Sequence, residues 1–289
     1  MPKATADSLG EAVRAAGRRL ADAGGADARL EAELLLCAAA DLRRTTLFAW
    51  PERALRPEQA AAFERLLQRR LAGEPMAYIL GQREFHGLTL TTAPGALIPR
   101  PETELLVDWA LAALPADTPL RCLDLGTGTG AIALALALAR PAWTLLAVER
   151  EPAALALAAQ NRARLAPGNL SLIRGDWLAA LAAQSLDLVV SNPPYIAARD
   201  PHLARGDLRF EPQQALAAGL DGLDAIRQIA AQAATALRPG GLLLLEHGWQ
   251  QGAEVRALLQ RGGWGTVVTR RDLAGWERAT GARRSASRD

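Results

Sequence analysis

Asn192, Pro193, Pro194 and Tyr195 follow residues 185–191, an apolar run that reads as a buried strand. Two successive prolines donate no backbone hydrogen bonds and fix their own φ angles, so the chain leaves the sheet along a stiff path. That path aims one carboxamide (Asn192), one bare carbonyl (Pro193) and one aromatic face (Tyr195) into a single small space. A planar NH2 group fits among them, with both hydrogens accepted and a ring stacked on its plane. The chemistry such a corner serves is attack by an amide or amino nitrogen.

A second constellation lies upstream. Residues 120–125 form a short apolar run ending at Gly126, Thr127, Gly128, Thr129 and Gly130, and residues 131–139 are a pure alanine, leucine and isoleucine stretch with strong helix preference. A glycine turn between strand and helix lets a ligand approach the backbone without meeting a Cβ atom, and the helix start offers free N–H groups. A nucleotide-like cofactor suits such a loop. Residues 143–149 read as the next strand and end on Glu149, about twenty residues beyond the loop, the spacing of a carboxylate that accepts hydrogen bonds from ribose hydroxyls. Gly126, Gly128 and Ala131 also satisfy the dinucleotide fingerprint, so the loop alone does not choose between a nicotinamide dinucleotide and another nucleoside cofactor.

The two constellations lie about sixty residues apart, which leaves room for two strand–helix units between them. In a doubly wound sheet both emerge at the carboxyl edge, where ligands bind. This pairing resembles the class I S-adenosylmethionine methyltransferases that modify nitrogen. Four further stretches narrow the resemblance: 98–104 (Ile-Pro-Arg-Pro-Glu-Thr-Glu), 200–203 (Asp-Pro-His-Leu), 209–212 (Arg-Phe-Glu-Pro) and 245–252 (Leu-Glu-His-Gly-Trp-Gln-Gln-Gly). Together they resemble the peptide chain release factor glutamine methyltransferases over nearly the whole chain.

The resemblance implies an α/β fold: a seven-stranded doubly wound, Rossmann-like sheet with one antiparallel strand, and a small N-terminal helical domain joined to it by a β-hairpin. The expected boundaries are 1–75 for a helical substrate-docking domain, 76–97 for the hairpin connector, 98–282 for the methyltransferase domain and 283–289 for a flexible tail. The implied cofactor is S-adenosyl-L-methionine, leaving as S-adenosyl-L-homocysteine. It would be held by Gly126, Thr127, Gly128, Thr129, Gly130, Glu149 and Asn192, with Asp176 and Trp177 beside its adenine. Asn192, Pro193, Pro194 and Tyr195 would be the catalytic set. The implied acceptor is the glutamine of the Gly-Gly-Gln loop in bacterial class-I peptide chain release factors. The resemblance also brings Phe85 near that acceptor and runs the 98–104 loop along the site, while as a hairpin residue Phe85 equally suits packing on a neighbouring helix. Glu149 is longer than the aspartate often found at its position but still reaches a ribose.

Composition bounds the alternatives. The 289 residues suggest two domains, 50% hydrophobic content is ample for a core, and a net charge of +2 gives no general attraction to nucleic acid or membrane. Lys3 is the sole lysine beside an abundance of arginine, a compositional bias without functional meaning. Cys37 and Cys122 are too few for a disulfide framework or zinc site and read as core thiols of a reducing cytoplasm. His86, His202 and His247 lack metal-ligand spacing, so no metal is expected. No apolar stretch is long enough to span a membrane, and the N-terminus lacks a signal-peptide core. A cytoplasmic monomer without direct nucleic-acid binding is the expectation. A DNA adenine methyltransferase uses the same proline corner on a flipped base, but it needs a basic groove and a target-reading domain. A ribosomal-protein glutamine methyltransferase shares the corner but is expected to depart from the 98–104 motif. A nicotinamide dehydrogenase or a non-catalytic binding module leaves the corner without a role.

Among the elements, Ser8 is expected to cap a helix burying Leu9, Val13, Ala16 and Leu20, Asp27 to cap a second, and Pro57 to open a third that buries Phe63, Leu66, Leu67 and Leu71. Arg65, Arg69 and Arg70 read as a solvated face of that third helix. Residues 83–92 alternate as a hairpin around His86 and Gly87. Thr103 or Glu102 is placed to cap the helix that follows. Residues 223–237 read as a helix stopped by Pro239, Gly240 and Gly241, and residues 242–246 as the strand after it.

Overall fold

The computed structural model describes residues 8–179 and 181–285. They divide into two units, up to Gly81 and from Gln82 onward. The first unit is helical. In α1 (Leu9–Asp22), the Ser8 side chain accepts the Glu11 N–H at 3.4 Å, and Leu9, Val13, Ala16 and Leu20 are buried, as the helical spacing requires. α2 (Ala28–Ala40) starts after Asp27, whose side chain makes no capping bond. Two short helices went unread in the sequence, α3 (Arg44–Ala49) and α5 (Met76–Leu80), on either side of α4 (Pro57–Leu71). Pro57 occupies the first turn of α4. Its basic face is not wholly solvated. Arg65 is exposed, but Arg70 grips Glu31 of α2 through two hydrogen bonds of 2.8 and 2.9 Å, and Arg69 pairs with Glu74. Ile79 of α5 packs into the same apolar cluster as Leu35, Leu36, Phe63 and Leu67. The connector expected from residue 76 therefore splits: 76–81 belongs to the helical unit, and the hairpin belongs to the second.

That hairpin pairs β1 (Gln82–Phe85) with β2 (Leu88–Thr91) through a two-residue turn at His86 and Gly87, both at positive φ. Phe85 is completely buried in the core of the second unit, among Leu90, Leu106 and Val107. Such burial is worth about 1.5–3 kcal/mol for an aromatic side chain, and it makes Phe85 a packing residue rather than a wall of the site.

The second unit is a seven-stranded sheet. α6 (Glu104–Ala113) leads into β3 (Arg121–Leu125), α7 (Ala131–Ala139), β4 (Thr144–Glu149), α8 (Pro152–Leu165), β5 (Leu170–Arg174) and β6 (Leu186–Ser191). α9 (Asp224–Ala236), β7 (Leu237–Glu246), α10 (Gly252–Arg261), β8 (Val267–Arg271) and β9 (Glu277–Arg283) complete it. The spatial order is β5-β4-β3-β6-β7-β9-β8, and only β9 runs against its neighbours. Alternate residues feed two apolar layers. Leu188, Val190, Leu242 and Leu244 join α6 and α7 on one face; Leu123, Leu125, Val189 and Leu243 join α9 and α10 on the other.

Two strand ends differ from expectation. Pro239, Gly240 and Gly241 do not stop α9, which ends at Ala236; they lie within β7, whose register with β6 shifts between Leu186 and Leu188 to absorb them. At the C-terminus, β9 runs to Arg283, and Arg284 still exchanges backbone bonds with Gly240 and Gly241, so the tail expected from residue 283 is paired through residue 284. Ser285 donates its hydroxyl to the Gly263 carbonyl at 2.8 Å, and residues 286–289 lie outside the described residues.

From β3 the chain winds outward through β4 to β5, then returns to the other side of β3 with β6. β3 and β6 flank the point where the winding reverses. They pair in parallel, with Leu125 opposite Ser191. The glycine loop after β3 and the proline corner after β6 therefore leave the sheet side by side at one edge.

Candidate active site

The glycine loop is held by its own strand neighbours. Gly126, Gly128 and Gly130 all adopt positive φ (65°, 58° and 86°), a conformation side chains rarely take. The Gly126 and Thr127 N–H groups bond the Val148 carbonyl at 2.9 and 3.1 Å, and the Gly130 N–H bonds the Thr127 carbonyl at 2.8 Å. The Thr127 hydroxyl donates to Asp124 Oδ2 at 2.6 Å, and the same oxygen accepts the Ala133 N–H at 3.1 Å, pinning the loop to the first turn of α7. Burial pushes the Asp124 carboxyl up to about 7, against the pull of those two bonds. Buried Asn161 of α8 donates to the Thr129 carbonyl at 3.0 Å and also exchanges bonds with Thr91 at the end of β2.

Glu149 closes the strand beside the loop. Its Oε2 accepts the Gly128 N–H at 2.9 Å, and its Oε1 accepts the N–H groups of Arg150 and Glu151 at 2.8 and 2.9 Å. These bonds fix the carboxylate at the rim of a cavity of about 300 Å³, the lower end of the range for small-molecule sites. Gly126, Gly128, Glu149, Asp176, Trp177, Asn192 and Pro194 line it. The indole of Trp177, itself at φ 47°, lies against Gly126, where an added Cβ would meet the ring at 3.5 Å. Thr127, Thr129 and Gly130 do not line this cavity. Thr127 and Thr129 are buried, and Gly130 faces Leu134 and Ala158, so these three shape the loop from behind instead of forming a ligand surface.

The proline corner borders both this cavity and a second one of about 60 Å³, lined by Leu97, Arg100, Asn192, Pro193, Tyr195, Ile196, Leu208, Ala215 and Leu216. Pro193 and Tyr195 face the small cavity, Pro194 faces the large one, and Asn192 borders both. That alternation is what an extended segment imposes. Asn192 Nδ2 donates to the Thr103 hydroxyl at 2.9 Å. Its Oδ1 is buried and has no hydrogen-bond partner among the described residues, a condition that costs about 1–3 kcal/mol unless a ligand donor relieves it.

Residues from distant segments hold the corner, and spacing gave no sign of them. The Tyr195 hydroxyl donates to Glu246 Oε1 at 3.2 Å. Gln251 Nε2 donates to the carbonyls of Tyr195 and Asp221 at 3.0 and 3.2 Å, while its Oε1 accepts the Gly248 N–H at 2.8 Å. The 245–252 motif is thus a brace behind Tyr195. Burial pushes Glu246 up to about 7, opposed by the Thr103 hydroxyl, the Arg278 charge and the Tyr195 hydroxyl. Burial beside Glu246 raises the Tyr195 phenol as well. His247 is fully buried; its Nε2 meets the Thr280 hydroxyl at 2.8 Å, and burial lowers its pKa. The 98–104 and 209–212 motifs also meet. Glu211 takes the Ile98 N–H at 3.0 Å and pairs with Arg100, and burial raises its carboxyl. Thr103 stands at the start of α6 but makes no side-chain capping bond, because its hydroxyl is committed to Asn192.

Family models match the two units separately: PrmC N-terminal domain over residues 11–81 and Methyltransferase small domain over 102–207. The release factor glutamine methyltransferase of Pseudomonas aeruginosa is 56% identical over 253 residues, covering 88% of this chain and 91% of that one. That of Escherichia coli is 49% identical over 252 residues, covering 87% and 91%. The chain belongs to the release factor glutamine methyltransferase family. As a member of that family it is a methyltransferase, and the seven-stranded sheet agrees. A Pyrococcus furiosus methyltransferase structure matches with a TM-score of 0.52 at 16% identity, covering 69% of this chain and 90% of that one. A T. thermophilus 16S rRNA methyltransferase in complex with AdoMet and guanosine matches with a TM-score of 0.51 at 21% identity, covering 70% and 49%. At those identities the two structures attest the fold alone.

Among the described residues no group of histidines, cysteines and acids is arranged to hold a metal ion, and no helix is long and apolar enough to cross a membrane. Cys37 and Cys122 are both free.

Proposed function

We propose that this methyltransferase moves the methyl group of S-adenosyl-L-methionine onto the side-chain amide nitrogen of the glutamine in the Gly-Gly-Gln motif of bacterial class-I peptide chain release factors. One observation carries the reading. Asn192, with an unpartnered buried oxygen, borders at once a glycine-walled cavity sized for a small molecule and a small pocket roofed by Tyr195.

The residues present fit the cofactor. Gly126 and Gly128 allow close approach of its methionyl part, Glu149 keeps lone pairs for ribose hydroxyls, and Trp177 offers a flat face to adenine. S-adenosyl-L-methionine supplies a sulfonium-bound methyl, a strong electrophile, and leaves as S-adenosyl-L-homocysteine. The protein's task is geometry, since an amide nitrogen is a poor nucleophile whose lone pair is shared with its carbonyl. Asn192 Oδ1 and the Pro193 carbonyl accept the two N–H hydrogens, and Tyr195 stacks on the amide. Two acceptors at that nitrogen favour the pyramidal form, whose lone pair faces the large cavity. Once methylated, the nitrogen sheds its proton readily, so no base is required before transfer. We read the protein as a cytoplasmic monomer whose partner is the release factor itself.

Mass spectrometry of purified release factor after incubation with the enzyme and S-adenosyl-L-methionine tests this reading. The expected result is one added methyl group on the Gly-Gly-Gln peptide. Methyl transfer to ribosomal protein or to DNA adenine, with none to the release factor, would overturn it.

A further inference from the structure

We infer that Arg100 binds the carbonyl oxygen of the acceptor amide, and that Glu211 is the positioning residue that aims it. The inference rests on the proposed acceptor pocket and deepens it. A primary amide has two N–H donors and one carbonyl oxygen that only accepts. The proline corner offers acceptors for the two hydrogens, Asn192 Oδ1 and the Pro193 carbonyl. Neither can serve the oxygen. An acceptor buried without a donor weakens binding, so the pocket needs a donor as well.

The lining of the 60 Å³ cavity narrows the choice. Its side chains able to donate are Arg100, Asn192 and Tyr195, and the rest are apolar. Asn192 turns its NH2 group to the Thr103 hydroxyl at 2.9 Å, and in the proposed role its other end meets the acceptor. The Tyr195 hydroxyl is committed to Glu246 Oε1 at 3.2 Å. Arg100 remains. Its guanidinium carries five N–H donors in a planar fork. Nη2 donates to Glu211 Oε1, while Nε and Nη1 make no bond to any described residue.

Glu211 gives the fork its direction. Its side chain is fully buried, and both of its oxygens are engaged: Oε2 accepts the Ile98 N–H at 3.0 Å, and Oε1 accepts the guanidinium. The carboxylate is thus tied to the backbone two residues before Arg100. The pairing also leaves little net charge in the pocket. Arg100 can then hold the carbonyl oxygen without drawing the nitrogen lone pair further into the carbonyl. Donor and acceptors together select a primary amide. A carboxylate in its place would set an oxygen against the lone pairs of Asn192 Oδ1 and Pro193.

Calorimetric binding of release factor to the full-length protein, with S-adenosyl-L-homocysteine present, tests the inference. Two release factors are compared, one unmodified and one with alanine in place of the Gly-Gly-Gln glutamine. Arg100→Lys keeps a cation beside Glu211 but has no planar fork to span a second acceptor. It is expected to weaken binding of unmodified release factor roughly tenfold to a hundredfold, the range for losing a hydrogen bond to a charged group. Against the alanine form it should cost little, because the contact is already gone. That difference isolates the contact from any general change in the protein. S-adenosyl-L-methionine affinity and Tm should stay close to those of the unmodified enzyme. Glu211→Gln, which can keep the Ile98 bond, is expected to give a smaller loss with the same dependence on the glutamine. Should Arg100→Lys disturb folding, Arg100→Met combined with Glu211→Gln removes both charges and serves the same comparison. Equal losses against both release factors, or no loss against either, overturn the inference. Methyl transfer is a separate readout. If the unmodified protein binds release factor but methylates no glutamine in it, the proposed function fails, and the comparison still decides the role of Arg100.

Discussion

The two halves of the candidate site are built by different means. On the donor side, consecutive residues do most of the work. The loop from Gly126 to Gly130 folds on Asp124, Val148 and Ala133, and Glu149 is fixed by the N–H groups of the two residues that follow it. On the acceptor side, side chains from remote segments do it. Asn192 is bonded across 89 positions by Thr103, and Tyr195 across 51 and 56 positions by Glu246 and Gln251. A loop held by its neighbours can bind a ligand that recurs across a fold. A corner held from several directions can be specific for one acceptor. If this contrast is right, damage on the acceptor side should appear in kcat and damage on the donor side in cofactor affinity.

The largest effect is expected from Asn192→Ala. Removing a preorganised group that acts on the reacting centre costs on the order of 10²–10³ in kcat. Steady-state kinetics should show that loss, while calorimetry finds S-adenosyl-L-methionine binding nearly unchanged. A large loss of affinity instead would erase the distinction between the halves.

Gly222→Ala should come next. Gly222 sits at φ 78°, and an added Cβ would stand 2.2 Å from the Tyr195 carbonyl and 2.8 Å from Gln251 Nε2. The methyl must push the corner off its brace, and a shift of about 1 Å costs roughly 10²-fold in rate. The atoms nearest that methyl belong to Tyr195 and Gln251, on the acceptor side, so cofactor affinity should hold.

Glu149→Gln probes the other half. With its oxygen on the Arg150 and Glu151 N–H groups, Gln turns an NH2 group toward the Gly128 N–H and the ribose side, losing charge-assisted bonds worth about 1.5–3 kcal/mol each. Cofactor Kd should rise roughly tenfold or more by that measure, with kcat at saturating cofactor largely kept.

The smallest effect is on stability. Burial raises Asp124 and Glu246 to about 7 from ordinary values of 3.8 and 4.5. Each group binds its proton more tightly in the folded chain than in the unfolded one. The stability this confers is complete below the ordinary values and is lost as pH rises through about 7. Tm measured across that window should fall with pH for these groups, and Asp124→Asn with Glu246→Gln should flatten the slope. The two acids lie on opposite sides of the contrast, so the single variants show whether both halves carry the same strain.

The donor side was legible in the sequence because its glycine turn and its acid close consecutive strands of the sheet. A glycine turn between strand and helix, with an acid at the next strand end, has one folding solution, and Gly126, Gly128, Glu149 and Trp177 do share a cavity. Even there, spacing did not separate glycines that face a ligand from those that serve the turn. Gly130 and the two threonines fall behind the loop because the chain has already turned toward α7. On the acceptor side, Asn192 to Tyr195 stood out, while their supports stood out only as members of the 98–104 and 245–252 motifs, without a role at the corner. Thr103 read as a helix cap, and neither Glu246 nor Gln251 had a role that spacing could give. Contacts across 51 to 89 positions leave no periodicity to read. The strands of the sheet read as short apolar runs, and their number came from the family resemblance. The exceptions arose where pairing overrode local preference, as at Pro239–Gly241 within β7. The short helices α3 and α5 are likewise products of packing, too brief to carry a periodic signal.

The central claim is that Asn192 presents its oxygen to an acceptor amide where the two cavities meet. A crystal structure of the protein with S-adenosyl-L-homocysteine and a glutamine-containing release-factor peptide tests it most directly. The account predicts the glutamine amide nitrogen within hydrogen-bond distance of both Asn192 Oδ1 and the Pro193 carbonyl, beneath Tyr195, with the cofactor sulfur facing it from the large cavity. A glutamine amide seated away from Asn192, or held by the Asn192 NH2 group instead of its oxygen, would contradict it.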